Sequence, residues 1–541
     1  MADVAAMLAR TMDLALVGGG DSTLLFWMQQ VLSCLPEPPV STAARLSRGV
    51  AARPPDGADR LSSLPVAVLR EIVSRLPAKD AARTAALSRR WRRVWSTTPL
   101  VLVDAHLAAR RAEGGALRRR DPDPRQVTAF PPRDDLTAAV SAVLAAHPGP
   151  FRCVYLTGSP MEAHRADIAR WFQLLAAKGV EELVFVNRVR SIKADGDLLL
   201  PDTLFSCTSL TKLYIGFWCF PDTAALPRAV AFPYLREIGL CFLLMKERDL
   251  AFLLDRCPVL EKLRIVGGRW PVCIRVHSRS LRCVEICMAI VPEITVVHSS
   301  LLERLLLWAA WGDGTLTSMT AKVKIGHAPK LRFLGMLMPG MHELEIGNTI
   351  IKAGTKAGPN TTVPSVQMLA IEVKLGNRVQ ARMVPSFLSC FPNIETLYVQ
   401  SHNDNSKFGP QSTGTGKVTL KFWKEAGTIE CVQRRIKKVV LREFHGTRSE
   451  LDFLKFIAEH AQVLEKMVIY MTHGYSPSDQ VGTKLRTFMA SSKWANACCE
   501  LMVFQSPFRQ EGTPWCYIRA FDLTNQDPFD ASKCPEGKCM S

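Results

Sequence analysis

The stretch Cys257-Pro258-Val259-Leu260-Glu261-Lys262-Leu263-Arg264-Ile265-Val266 decides the fold of this chain. Its apolar residues follow the template apolar-x-x-apolar-x-apolar at Leu260, Leu263 and Ile265. The last two share one face of an extended strand, because strand side chains alternate with period two. The first sits in the entry turn. The template recurs upstream at Phe151/Val154/Leu156, Val180/Leu183/Phe185, Leu210/Leu213/Ile215 and Leu235/Ile238/Leu240. Downstream it returns at Leu281/Val284/Ile286, Leu302/Leu305/Leu307, Leu331/Leu334/Met336, Val366/Leu369/Ile371 and Ile394/Leu397/Val399, then at Ile436/Val439/Leu441 and Leu464/Met467/Ile469.

The first seven copies lie 21 to 30 residues apart, and later ones spread further. A period of roughly 20–30 residues on this core is the leucine-rich repeat signature. Helical patterns precede several copies: 165–177, 249–256 and 449–461, the last with Ser449 as N-cap. Helix then strand, repeated, predicts a right-handed α/β solenoid, a horseshoe with strands on its concave side. Between Cys273 and Leu331 the returns read as extended instead, at Ile274-x-Val276, Ile294-x-Val296 and Val323-x-Ile325. The polar 401–417 segment reads as an exposed insertion. The residue second from the end of each template points away from the helix side. At Tyr214, Arg264, Glu285 and Tyr398 it is polar or aromatic, so these four are the candidate target-binding residues.

The chain has 541 residues, 48% of them apolar, which excludes disorder over most of its length. No run reaches the roughly 18 apolar residues of a membrane span; the best, Leu24 to Leu35, is broken by Gln29 and Gln30. Asp3, Asp13 and Asp21 stand where a signal peptide needs basic and apolar regions. The 16 scattered cysteines therefore read as free thiols in a reducing compartment, the cytoplasm or nucleus. His277, His298 and His327 each precede a repeat's first Leu by four residues, which makes a ladder rather than a convergent metal site. Gly414-Thr415-Gly416-Lys417 lacks the upstream glycine of a phosphate loop, where Gln411 stands instead. No catalytic motif, cofactor site or metal site is expected. The net charge of +18 implies an acidic partner.

That charge is concentrated in 59–99, where nine Lys/Arg oppose three acids. The segment reads DRLSSLPVAVLREIVSRLPAKDAARTAALSRRWRRVWSTTP. It resembles a plant F-box, carried by Leu64-Pro65, Leu69, Ile72, Leu76-Pro77, Lys79-Asp80, Leu87-Ser88, Arg90-Trp91-Arg92 and Trp95. Pro65 suits a first helical turn, and Asp80 suits the positive end of the next helix. The remainder resembles plant F-box proteins with leucine-rich repeats and an FBD-like C-terminal region. Its carriers are His147-Pro148-Gly149-Pro150-Phe151, Cys257 to Leu263, Phe391 to Leu397, Ile436 to Val439, Glu450 to Ile469, and Asp527-Pro528-Phe529-Asp530.

The resulting organisation is a low-order leader (1–57), an F-box (58–105), a basic linker (106–133), repeats (134–390), an FBD-like continuation (391–475) and a tail (476–541). The resemblance implies a non-catalytic substrate receptor of an SCF-type ubiquitin ligase. Its F-box would dock on a Skp-family adaptor, and through it a cullin, with Leu64, Pro65, Leu69, Ile72, Leu76, Leu87 and Trp91 supplying the apolar contact. The repeats would hold an unknown target protein; no membrane partner is implied. The competing reading is a basic repeat scaffold that binds nucleic acid or chromatin, with Arg89, Arg90, Arg92 and Arg93 beside Trp91 and Trp95.

Overall fold

A computed structural model describes residues 21–40, 60–107, 134–159, 161, 164–188, 199–227, 229–268, 272–311, 320–401, 417–506 and 517–530. Most of the predicted basic linker and of the 401–417 insertion lie outside the described residues. The described residues form two compact units, one within 18–260 and one within 261–541.

The N-terminal unit opens with helix α1 (Asp21–Cys34), followed by α2 (Val66–Ser74), α3 (Ala78–Thr84) and α4 (Arg89–Thr97). Strand β1 (Leu100–Val103), helix α5 (Asp134–Ala146), β2 (Phe151–Leu156), α6 (Arg165–Ala177), β3 (Glu182–Val186), β4 (Lys212–Gly216), β5 (Glu237–Cys241) and α7 (Glu247–Asp255) complete it. Strands β1 to β5 pair in parallel, in chain order. The template residues stack across them: Val154 opposes Leu183, Leu183 opposes Leu213, and Leu213 opposes Ile238. Helix α6 buries Ile168, Phe172 and Leu175. Phe172 meets Phe185 at 4.9 Å, and Phe185 stacks on Trp218 at 5.1 Å. Each such fully buried side chain contributes about 1.5–3 kcal/mol.

The leader reading is revised here. Part of it forms α1, which buries Trp27, Met28 and Val31. Trp27 packs on Phe242 at 5.0 Å. Further along, Val40 joins Val101, Val103 and Cys153 in one cluster that Tyr155 flanks.

The C-terminal unit begins with β6 (Lys262–Val266), β7 (Ile274–His277), β8 (Cys283–Ile290), β9 (Glu293–His298), β10 (Arg304–Trp311), β11 (Ala321–His327), β12 (Phe333–Leu337), β13 (His342–Ile346), β14 (Thr349–Ile350) and β15 (Met368–Val373). Helix α8 (Arg378–Ser389), β16 (Thr396–Ser401), α9 (Leu420–Glu425), α10 (Glu430–Arg434), β17 (Lys438–Phe444), α11 (Arg448–His460), β18 (Lys466–Met471), α12 (Gln480–Ala490), β19 (Glu500–Gln505) and α13 (Tyr517–Phe521) follow. Strands β6, β8, β10, β12, β15, β16, β17, β18 and β19 run parallel as neighbours. The predicted extended returns are β7, β9 and β11, which join β13 and β14 in a second sheet. His277, His298 and His327 fall in register there, with ring centroids 6.2 and 4.5 Å apart.

Two sequence readings are corrected in this unit. The N-cap of α11 is Thr447, not Ser449: its hydroxyl accepts from the Glu450 amide while Glu450 reaches back to the Thr447 amide. Glu450 also receives Ser401 Oγ at 2.6 Å. Burial raises its pKa, but hydrogen bonds from His445, Ser401 and the Thr447 amide outweigh burial and hold it below the usual carboxylate range. The stretch after 475 is more than a tail, because β19 adds a further repeat strand with Leu501 opposite Met467. Among the described residues no sheet closes into a barrel, and no helix is long and apolar enough to cross a membrane.

Candidate interaction surfaces

The F-box segment builds its own small core and leaves an apolar surface outside it. Pro65 and Pro77 stand at the N-caps of α2 and α3, where no amide is missed. Ser88 caps α4 by accepting from the Trp91 amide, and the Trp91 indole donates to Ser62 Oγ at 2.9 Å. Arg90 donates to the carbonyls of Ser62 and Leu64, fixing the chain before α2. Leu69, Val73, Trp91 and Val94 are buried. Leu69 and Trp91, expected among the adaptor contacts, therefore shape the module from inside. Leu64, Ile72 and Leu76 are half-buried and Pro65 is exposed. Leu87, expected among the adaptor contacts, is 67% exposed, and Leu61 is 59% exposed. Val66 and Val68 extend this apolar set. Arg89, Arg92 and Arg93 stay solvated nearby.

This module is tied to the repeats within its unit. β1 runs directly out of it and pairs with β2. Asp104, fully buried, accepts from the amides of Thr157 at 2.9 Å and Gly158 at 2.7 Å, and from Ser159 Oγ at 3.3 Å. Burial pushes its carboxyl pKa up against these bonds. The His147-Pro148-Gly149-Pro150-Phe151 run explains itself here. His147 sits between Trp95 and Phe151 at 5.0 and 5.2 Å. A Cβ on Gly149 would stand 2.5 Å from the Ser96 carbonyl oxygen.

The second surface is the strand face away from the helices. The four residues expected to point outward there do lie on it, but all four are buried. Tyr214 donates its hydroxyl to Glu237 at 2.7 Å and lies over Gly239, where a Cβ would stand 2.2 Å from the ring. Arg264 donates to Glu285 at 2.6 Å, with both side chains almost wholly enclosed. Tyr398 donates to Asp527 at 2.6 Å. None of the four is a solvated contact residue in this state. In the C-terminal unit part of the cover comes from residues 517–530, a segment with no repeat pattern: Phe521 lies against Arg264 and Asp527 against Tyr398. Alternation identifies the face, but nothing in it reports what lies on top.

Thirteen cysteines fall among the described residues, and none is in a disulfide. Burial pushes the thiols of Cys207, Cys257, Cys283, Cys390 and Cys431 up to about 12. Among the described residues no group of three or more His, Cys, Asp or Glu could hold a metal ion.

Comparison with known proteins bears on both surfaces. The F-box domain family matches residues 61–102. The leucine-rich repeats of FBD-associated F-box protein At5g56370 match 168–399, and the FBD family matches 424–469. The chain is 27% identical over 207 residues to F-box/FBD/LRR-repeat protein At1g13570 of Arabidopsis thaliana, covering 38% of this chain and 44% of the relative. It is 27% identical to F-box/LRR-repeat protein At3g26922 of the same plant, covering 39% of this chain and 60% of that protein. The chain thus spans about half the length of these curated relatives. With FBD-associated F-box protein At4g10400, also from Arabidopsis thaliana, identity is 24%, covering 82% of this chain and 99% of the relative. The chain carries an F-box domain followed by leucine-rich repeats, in a mixed α/β architecture. Its C-terminal part carries the FBD region.

Proposed function

We propose that this protein is the target-recognition subunit of an SCF-type ubiquitin ligase, docking through its F-box on a Skp-family adaptor and holding a target protein with its repeats. The supporting observation is that the F-box module leaves Leu61, Pro65, Val66, Val68 and Leu87 exposed and Leu64 half-buried, together with solvated arginines, and is tied by β1 and Asp104 to the repeat sheet. An apolar patch rimmed by charge is the usual anatomy of a protein interface. The basic rim steers an acidic partner, which raises the on-rate more than the affinity. Such a subunit contributes no catalytic group; it raises the effective concentration of target lysines near the charged conjugating enzyme. The reading carries with it a place in the cytoplasm or nucleus.

The test is co-purification with a plant Skp-family adaptor. Leu64→Ala with Pro65→Ala should reduce adaptor recovery at least tenfold, because interface anchors are worth about 2 kcal/mol or more. Circular dichroism should be unchanged. Full recovery by the folded double variant would refute the docking assignment. Retention on nucleic acid that collapses with salt, without adaptor binding, would favour the basic-scaffold reading.

A further inference from the structure

On the strand face of the C-terminal unit, residues 517–530 lie as a bound peptide would. Arg304 on β10, 2% exposed, donates to the carbonyl oxygens of Ala520 at 2.7 Å, Asp522 at 2.9 Å and Leu523 at 3.5 Å, and to that of Asn525. Arg442 on β17 donates to the Phe529 carbonyl. Both arginines grip backbone carbonyls, and each also feels carboxylates of the segment, Asp522 for Arg304 and Asp527 and Asp530 for Arg442. Selectivity comes at two places. Asp527 receives the Tyr398 hydroxyl and lies 3.7 Å from Lys438 Nζ, while Phe529 is buried against the Tyr398 ring at 5.5 Å. Phe521 lies under Arg264 at 4.1 Å and Lys262 at 5.1 Å.

These contacts reach from β6 to β17, a breadth of about 29 Å at the usual strand spacing. The outer side of the segment is polar, with Asp522, Thr524 and Gln526 exposed. Its buried side consists of Ala520, Phe521, Pro528 and Phe529. Removing it would rehydrate two guanidinium groups whose charge burial disfavours, which offsets part of the cost of release.

We propose that this face is a binding site for a peptide bearing a carboxylate followed two residues later by an aromatic side chain, and that residues 517–530 are its resident occupant, which a target must displace. This rests on the target-receptor reading above and adds the ligand class and its regulation. A tethered occupant competes at an effective concentration near millimolar. The apparent affinity of an incoming peptide therefore falls by the fraction of time the face stands open.

A fluorescent peptide with the sequence of residues 517–530 tests this by anisotropy against the full-length protein. The full-length Asp527→Asn/Phe529→Ala variant should bind it at least tenfold more tightly than wild type does. Hydrogen exchange in 517–530 should be faster in that variant. Adding Arg442→Gln should remove the gain, and a peptide with the same two substitutions should bind weakly. Should the double variant lose cooperative unfolding, Asp527→Asn alone should give a smaller gain in the same direction. Equal binding to wild type and a folded variant, or no binding to either, overturns the proposal. So does undiminished binding of the substituted peptide. Adaptor recovery is read in parallel: its loss in wild type would sink the ligase reading and leave the peptide result intact.

Discussion

Arg264 and Glu285 face each other across β6 and β8, with both side chains enclosed. Desolvation raises the Glu285 pKa even beside its cationic partner, so the pair is held at a cost. Removing one member deprives the other, still buried, of its nearest opposite charge. Glu285→Ala should therefore cost about 3–5 kcal/mol in denaturant unfolding, while Arg264→Met with Glu285→Leu should recover most of it. An equal loss in the single and double variants would show that packing rather than charge decides the site. His342 behaves oppositely with pH. The Met338 amide donates to its Nδ1 at 3.1 Å, and its Nε2 faces the Ala310 carbonyl at 3.0 Å. Burial lowers its pKa below 6.5, so the folded chain keeps it neutral. Below that pH the unfolded chain takes up a proton that the folded chain refuses, and stability is lost as pH falls. The loss is read between pH 7 and 5.5, where the unfolded histidine titrates. Unfolding midpoints of wild type and His342→Gln at both pH values should separate this term from Asp104 and Glu285, whose raised pKa values act in the opposite direction.

Helix α1 is the element least expected from the sequence and among the best buried. Truncating Trp27 to Ala should cost about 3–5 kcal/mol in the N-terminal unit, read as a lowered first melting transition. A change below 1 kcal/mol would mean that α1 merely rests on its neighbours. The pattern was available: Leu24, Trp27, Met28, Val31, Cys34 and Leu35 are apolar at helical spacing. The repeat strands were legible because the templates pin buried side chains, three in each except at Ile265, which is half-buried, and every template quoted from Phe151 onward became a strand or its entry turn. β19 was legible too, had Cys498-x-x-Leu501-x-Val503 been read with cysteine in the first apolar place. The N-cap of α11 was missed by two residues because Ser449 and Thr447 are both capping types, and Glu450 in the N3 position is what decides between them. At this scale the buried ladder cysteines also differ from Cys498, which is exposed. Native alkylation near pH 8 should modify Cys498 well before Cys207, Cys257 or Cys283. Early labelling of any of these three would show that the repeats open locally.

Across the chain, the sequence marked which surfaces matter better than it marked their state. Alternation put Tyr214, Arg264, Glu285 and Tyr398 on the correct face, yet exposure depends on segments distant in sequence, and no periodicity encodes those. The F-box was legible residue by residue, but its attachment was not. β1 lacks the repeat template, and Asp104 reads as an ordinary surface acid until Thr157, Gly158 and Ser159 are brought to it. That attachment predicts a specific behaviour. A protease site inserted between Leu107 and Asp134 would cut the chain while leaving the β1–β2 pairing intact. The buried strand Leu100–Val103, the Asp104 bonds and the His147 contacts with Trp95 and Phe151 should then hold the two fragments together. They should co-elute in size exclusion at physiological salt and separate only in denaturant. Asp104→Ala removes three hydrogen bonds to a buried charge, each worth about 1.5–3 kcal/mol, and should weaken the association at least tenfold. If the cut wild-type fragments drift apart without denaturant, the F-box is a loosely strung module, and the repeat sheet does not fix its direction.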